Sequence, residues 1–377
     1  MSLYSGGFAY KKQNMSIVGV LGKQKWFWLS GVGGIIIIRL AATNQDAIEK
    51  FYSENFYYYF SIVLRFLFGW LPFSIGDIVY FIAGLWLLWK TIKNIKIVFS
   101  KQLTRDKFIH KTGKLLMMLI MLYLVFNIFW GLNYNRNEIA SQLQLPKIKI
   151  DTANVLQLQQ LLLQKVNETK VQLIKDKIIY PDNKVMFQRA EKCYDEAAKI
   201  YPMLTYHGSS VKSSLYGWLG NYLGFTGYYN PFTGEAQVNT TVPRFLIPYI
   251  TLHEIGHQVG YAKENEANFC GYLAAANAKD TLFQYSAYLD LFVYANREVY
   301  YFDSTASKLA ASQLSAEVKA DILEWRNFNR KHRSVFEPAI NWLYGKYLQV
   351  NLQPKGLQSY DDVITALIAY YKKTGKL

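Results

Sequence analysis

Leu115 to Leu132 is a run of 18 residues without one charged side chain. As a helix such a run is about 27 Å long, close to the ~30 Å hydrocarbon thickness of a bilayer. It therefore reads as a transmembrane helix. Two more apolar stretches precede it: Trp26 to Ala42, interrupted only by Arg39, and Phe73 to Trp89, with Asp77 near its start. Spans are expected at about 26–42, 73–89 and 115–132. A cleaved signal peptide is the competing reading of the first. The long leader and the absence of an A-x-A site before Thr43 favour an uncleaved anchor. Phe56 to Leu71 is rich in tyrosine and phenylalanine and contains Arg65, which suits a helix of about 56–71 lying in the membrane interface.

Charge orients these spans. Lys90 to Lys114 carries eight basic residues against one acidic residue, Asp106. Loops of this kind stay cytoplasmic, as would a basic N-terminus bearing Lys11, Lys12, Lys23 and Lys25. Three crossings then leave the C-terminal part outside the cytoplasmic membrane. A fourth crossing would put the N-terminus or the basic loop on the wrong side. The net charge of +15 thus has a topological explanation. No nucleic-acid motif accompanies it, so nucleic acid is not expected as a partner and the lipid bilayer is. The two cysteines, Cys193 and Cys270, are too few for a disulfide framework and lack metal-ligand spacing; one bridge between them stays open.

Residues 134–377 read as a separate, folded domain after a membrane anchor at 1–133. Helical spacing marks Leu156 to Lys177, Lys184 to Ile200, Thr281 to Tyr300, Ala316 to Leu348 and Tyr360 to Lys373. Between them, Trp218 to Tyr229 is aromatic and glycine-rich, NPFTG at Asn230 signals a turn, and Glu235 to Val242 resembles a returning strand. This hairpin serves equally as a cover for the core or as an edge that receives an extended substrate.

Chemistry is spelled out in Thr251 to Ala275, TLHEIGHQVGYAKENEANFCGYLAA. His253 and His257 are four apart, so on a helix their rings share one face and can take adjacent corners of a zinc tetrahedron. Glu254 flanks that face, where a carboxylate takes a proton from water; this is the H-E-x-x-H pattern. Pro248 suits the first turn of that helix and Gly260 its stop. A catalytic zinc needs a third protein ligand. On a second helix from about Glu264, that residue shares a face with Ala267, Asn268, Gly271, Ala274 and Ala275, nearly all small. Glu266 points the other way with Phe269 and Leu273, so Glu264 is the expected ligand. His110, His207 and His332 lack partner spacing. Among the many tyrosines, Tyr228 and Tyr229 are weak candidates for a transition-state donor.

H-E-x-x-H followed by E-x-x-A-N at Glu264, Ala267 and Asn268 resembles the zincin metallopeptidases of the glutamate-ligand type. CAAX-protease-like membrane peptidases have a similar E-x-x-A-D, much further downstream and with aspartate where this chain has Asn268. The close spacing is more similar to an uncharacterised bacterial membrane family. LPFSIGD at Leu71, WGLNYNR at Trp130, NPFTGEAQVN at Asn230 and SYDDVITALIAYY at Ser359 are further points of likeness. The resemblance implies a zinc peptidase-like domain and names no substrate. Joined to the topology above, it gives the expected architecture, three transmembrane helices followed by a mainly helical (α+β) zincin-like domain with a small hairpin or sheet, and the expected function, zinc-dependent hydrolysis of a peptide or protein at the outer face of the bacterial cytoplasmic membrane. The alternative is a catalytically inactive, zinc-stabilised scaffold or binding module of the envelope, which would keep the same ligands. The motif falls too close to Lys263, Glu264 and Glu266 for the bilayer core.

Overall fold

The computed structural model describes residues 25–100, 103–149, 151–356, 358 and 362–377. Lys11, Lys12 and Lys23, expected to hold the N-terminus in the cytoplasm, lie outside the described residues, as do 359–361. The chain is mainly helical with one small sheet. In chain order, α1 (Lys25–Ala41) is followed by a π-helix (Ile48–Tyr57) that runs into α2 (Tyr58–Phe68), then by α3 (Ile75–Phe99) and α4 (Arg105–Phe129). Two compact units form: Ile82–Asn127 with the chain up to Leu40, and Ala41–Phe81 with Ile128–Leu377.

The first unit holds most of the long apolar helices. α3 and α4 are long and apolar enough to cross a membrane, with mean hydropathy 1.5 and 1.9. α1 has 17 residues and qualifies only when joined across a break to Gln45–Phe68, so there are two, or up to three, such helices among the described residues. A Cβ at Gly31 would come within 2.9 Å of Ile120, and one at Gly34 within 3.0 Å of Leu124. Glycine at these positions lets α1 approach α4 closely, as small residues do between membrane helices. The expected spans differ at their ends. α3 runs ten residues beyond Trp89, carrying Lys90, Lys93 and Lys96, and α4 stops at Phe129 rather than Leu132. Trp130, Leu132 and Tyr134 are buried in the second unit instead.

That second unit is built from α5 (Thr152–Lys175), α6 (Asn183–Ala198), β1 (Val211–Ser213), α7 (Gly217–Leu223), β2 (Gly227–Asn230), β3 (Glu235–Val238), α8 (Ile247–Gln258), α9 (Glu264–Asn277), α10 (Thr281–Phe302), α11 (Ala316–Lys331), α12 (Glu337–Val350) and α13 (Val363–Thr374). Side-chain caps start several of these helices: Asp151 accepts from Asn154 N at 2.8 Å, Asp182 from Val185 N at 2.9 Å and Ser315 from Val318 N at 3.3 Å. Each such cap stabilises by about 1 kcal/mol. The single helix expected over Ala316 to Leu348 is broken between Lys331 and Glu337, and Pro338 sits in the first turn of α12. Proline fits there because that N–H has no intrahelical partner.

The sheet has the order β1-β3-β2, with β1 parallel and β2 antiparallel to β3. Tyr228 pairs with Gln237 and Val211 with Ala236. In the connecting turn Asn230 Oδ1 accepts from Phe232 N at 2.9 Å, and Gly234 takes a φ of +68°. The three-residue β1 is too short to leave an alternation in the sequence. Around the sheet, Leu158, Leu162, Tyr194, Leu252, Ile255, Phe269, Leu289 and Phe292 form one buried core. Cys193 and Cys270 are free thiols within it.

Residues 41–81 are compact with this unit, whereas the sequence assigns them to an anchor ending at 133. α2 shows why. It buries its polar residues, Ser61 and Arg65, and exposes Tyr59, Val63 and Phe66. Arg65 Nε donates to the His207 carbonyl at 2.9 Å and Nη1 to that of Gln258 at 3.1 Å. Downstream, Glu49 and Arg136 form a buried pair, Oε1 to Nη2 at 2.5 Å. The first turn of α3 is held by Glu235, which accepts from Ile75 N at 3.1 Å and Gly76 N at 2.6 Å. A carboxylate suits that helix N-terminus, where amide N–H groups lack partners.

Candidate metal centre

The centre lies where α8 crosses α9. Leu252 and Ile255 turn into the core, which turns His253 and His257 to the opposite face, one turn apart. Pro248 stands in the first turn of α8. Gly260, with φ +94°, ends the helix, and Tyr261 N reaches back to the Gly256 carbonyl at 3.1 Å. The chain thereby reverses into α9 and brings Glu264 under the two rings. Close crossing needs small residues. A Cβ at Gly256 would stand 3.1 Å from the Ala267 carbonyl, and one at Gly271 3.1 Å from the Tyr249 ring.

One ligand atom each from His253, His257 and Glu264 gathers within 4.8 Å, and all three residues are buried. Glu264 Oε2 is 3.2 Å from His253 Nε2 and 3.5 Å from His257 Nε2. Ligand atoms about 2.0–2.1 Å from a tetrahedral centre stand about 3.3 Å apart, so these spacings are those of a tetrahedral edge. The outer nitrogens are also fixed. His257 Nδ1 lies 2.8 Å from the Tyr261 carbonyl, which only accepts, so Nδ1 carries the proton and Nε2 presents a lone pair. His253 Nδ1 lies 2.7 Å from Asn268 Oδ1 in the same relation. Lone pairs of two imidazoles and a carboxylate facing one another require a cation among them. Glu264 Oε2 accordingly has no hydrogen-bond partner among the described residues. The donor set fits zinc.

In the metal-free protein a proton fills that need. Burial by itself would lower the pKa of His253, but the hydrogen bond and charge of Glu264, with Glu254 beside it, lift it to about 9. Burial by itself would raise Glu264, but His257 and His253 hold it far below the usual carboxylate range. Glu254 is shifted the other way. Burial pushes it up to about 7, with the two histidines opposing and Glu264 reinforcing. Its Oε2 has no hydrogen-bond partner among the described residues, and its Oε1 lies against strand β2, where a Cβ at Gly227 would come within 2.4 Å.

The two glutamates of α9 part as the helical phase predicts. Glu266 faces away from the histidines and accepts from Ile139 N at 3.0 Å. The Tyr229 hydroxyl accepts from that of Tyr57 at 3.1 Å, and the Tyr228 hydroxyl donates to Asp77. His332 Nδ1 faces the Phe328 carbonyl at 2.9 Å, and the His207 ring packs edge-on to Tyr58.

Four contributors were not marked as such by their local sequence. Trp130 packs edge-on against His257, with ring centres 5.9 Å apart. Tyr344, from α12, donates to Glu264 Oε1 at 2.8 Å. Gln353 accepts from Glu264 N at 3.0 Å. Arg136 donates to the Val259 carbonyl at 3.2 Å and stacks on the Tyr261 ring at 4.1 Å, steadying the loop whose carbonyl orients His257. Of these, Trp130 and Arg136 are the first and last residues of the WGLNYNR stretch.

Comparison with known proteins adds one relation. No curated protein and no solved structure matches the chain. A family model described as "protein of unknown function (DUF3810)" matches residues 52–368, which include the second helix, the sheet and the whole centre, and the chain belongs to that family.

Proposed function

We propose that the protein is a membrane-anchored, zinc-dependent peptidase whose centre faces the extracytoplasmic side of a bacterial cytoplasmic membrane. His253, His257 and Glu264 hold the metal. Bound there, zinc supplies the acidification of water and the polarisation of a carbonyl. Glu254 takes the proton released by the attacking water and returns it to the leaving amine. Its carboxyl is buried, with one oxygen that has no hydrogen-bond partner among the described residues, which leaves it placed to accept and give up a proton. Asn268 and the Tyr261 carbonyl orient the imidazoles, and Tyr344 orients Glu264. The zincin-type chain trace and the three-span topology belong to the same proposal.

The observation that carries this reading is the environment of Glu254. A scaffold that only stores zinc needs His253, His257 and Glu264. It does not need a second buried carboxylate, with an oxygen lacking a partner, set against a strand where glycine alone leaves room. The test is Glu254→Gln in the full-length protein, which keeps shape and removes basicity. Zinc content and folding should be retained while peptide cleavage falls by at least ~100-fold, the scale of general-base removal. Unchanged cleavage, or full complementation of a deletion strain by this variant, favours the scaffold.

A further inference from the structure

The surface bordering the centre is apolar where a rim facing water would be polar. Leu215 and Trp218, at the start of α7, are 60% and 66% exposed, and Leu219 is 42% exposed. On α12, Trp342 and Leu343 are 63% and 61% exposed. The two helices adjoin, since a Cβ at Gly224 would lie 3.9 Å from Asn341 Oδ1. Each is linked to the centre: α7 leads into Gly227 beside Glu254, and α12 supplies Tyr344 to Glu264. Scattered exposed apolar side chains need no explanation, but a group of them on two adjoining helices marks an interaction surface.

The first turn of α3 indicates what covers them. Asp77 Oδ2 accepts from Leu215 N at 2.6 Å, and the Tyr216 hydroxyl donates to the Asp77 carbonyl at 2.7 Å. The start of α7 is therefore tied to the start of a helix able to cross a membrane. Only four residues on, about 6 Å at 1.5 Å per residue, the helix reaches Phe81 and continues through exposed apolar residues. α2 carries the same signature, with Arg65 inside and Phe66 outside. Tryptophans such as Trp218 and Trp342 are the residues that favour a membrane–water boundary.

We propose that Leu215, Trp218, Leu219, Trp342 and Leu343 seat the rim of the centre in the interface of the bilayer that α3 crosses. The centre then takes polypeptide lying at the membrane surface: the stretch of a membrane-anchored protein next to its anchor, in preference to a free soluble peptide. The substrate class rests on the peptidase reading above; the lipid contact does not. Cys193 and Cys270 are buried, so a surface cysteine can be labelled selectively in the full-length protein. Trp218→Cys, Trp342→Cys and Ile174→Cys, the last on the outer face of α5, are to carry an environment-sensitive fluorophore. The proteins are reconstituted in phosphatidylethanolamine–phosphatidylglycerol vesicles, with or without lipids brominated near the glycerol. Labels at 218 and 342 should lose about half of their emission in brominated vesicles and the label at 174 almost none, as depth in the interface dictates. Absence of quenching at 218 and 342, or equal quenching at all three, overturns the lipid contact. In a second arm, one peptide is offered free or tethered to the vesicle by a membrane helix. Trp218→Ser with Leu219→Ser should lower the tethered-over-free preference by about 10-fold, since confinement to the surface acts through effective concentration. An unchanged preference overturns the substrate class. Failure of both peptides to be cleaved by the zinc-loaded native protein sinks the substrate class together with the peptidase reading, and leaves quenching to decide the lipid contact.

Discussion

Gly227→Ala separates holding a metal from using it. The added Cβ would stand 2.4 Å from Glu254 Oε1, 2.8 Å from Cδ and 2.9 Å from Cγ, where ordinary contact begins at 3.4 Å. The carboxylate, the strand or both must therefore yield by about 1 Å. Misplacement on that scale costs about 100-fold in a reaction that depends on a positioned group. Overpacking of one methyl costs about 1–3 kcal/mol of stability. His253 and His257 project from the same helix as Glu254 and Glu264 from α9, and none of the three is among the atoms nearest to the new methyl. Zinc per chain should therefore equal that of the native protein, with a modestly lowered melting temperature and cleavage down by about two orders of magnitude. Gly271→Ala is the counterpart. Its Cβ would press on Tyr249 at 3.1 Å and on the His253 amide at 3.3 Å, prising α8 from α9 and costing zinc first. Three measurements on the full-length protein decide: metal content, thermal unfolding and turnover on a peptide library. Native turnover in Gly227→Ala would show that the position of Glu254 against β2 is irrelevant to function. Joint loss of zinc and turnover would show that strand and ligands form one mechanical unit.

Further outcomes follow from the same contacts. The protein should bind about one zinc per chain; His257→Ala and Glu264→Ala should abolish tight binding. Glu266→Ala should keep the metal and lose about 1–3 kcal/mol of stability, because the Ile139 amide loses its acceptor; equal zinc loss in the Glu264 and Glu266 variants would contradict the division between them. Zinc uptake should release a proton from His253 below about pH 9, where the metal-free imidazole is charged. That release should fade as pH rises through 9, as read by calorimetry in buffers of different ionisation enthalpy. A reporter fused after Lys101 should behave as cytoplasmic and one after Leu377 as extracytoplasmic; a shared compartment would refute the three-span topology.

What the sequence discloses is what lies within a helical turn or two. The spacing of His253 and His257, the stop at Gly260 and the phase that parts Glu264 from Glu266 all follow from the 3.6-residue period. The NPFTG turn is likewise local, and the structure makes it the bend between β2 and β3. Contributions from distant chain are silent until the fold exists. Tyr344 reaches Glu264 across 80 positions, and Gly227 matters only because Glu254 arrives beside it. Hydropathy is blind in another way. It measures aversion to water and does not distinguish lipid from protein core, so the apolar run ending at Leu132 hides the point, Phe129, at which the chain leaves the span and enters the core. Composition likewise does not disclose that the polar side of α2 is the packed one, with the charge of Arg65 satisfied by carbonyls.

The clasp between Glu235 and the first turn of α3 bears on how the molecule is made. A ribosome delivers residues 41–81 and the apolar helices first, and the partners of that early segment emerge 87 to 193 residues after the groups they meet. Until then Glu49 awaits Arg136, Arg65 awaits the Gln258 carbonyl, and the Ile75 and Gly76 amides await Glu235. The segment must stay uncommitted until then, and the domain can close only after its C-terminal half has been made. Severing the chain at the end of the last span would strand one member of each buried pair, at about 3–5 kcal/mol for a charged one. The spans and the domain are thus obliged to be inherited as one polypeptide, and a soluble fragment beginning after α4 is expected to misfold even though it contains every residue of the metal centre.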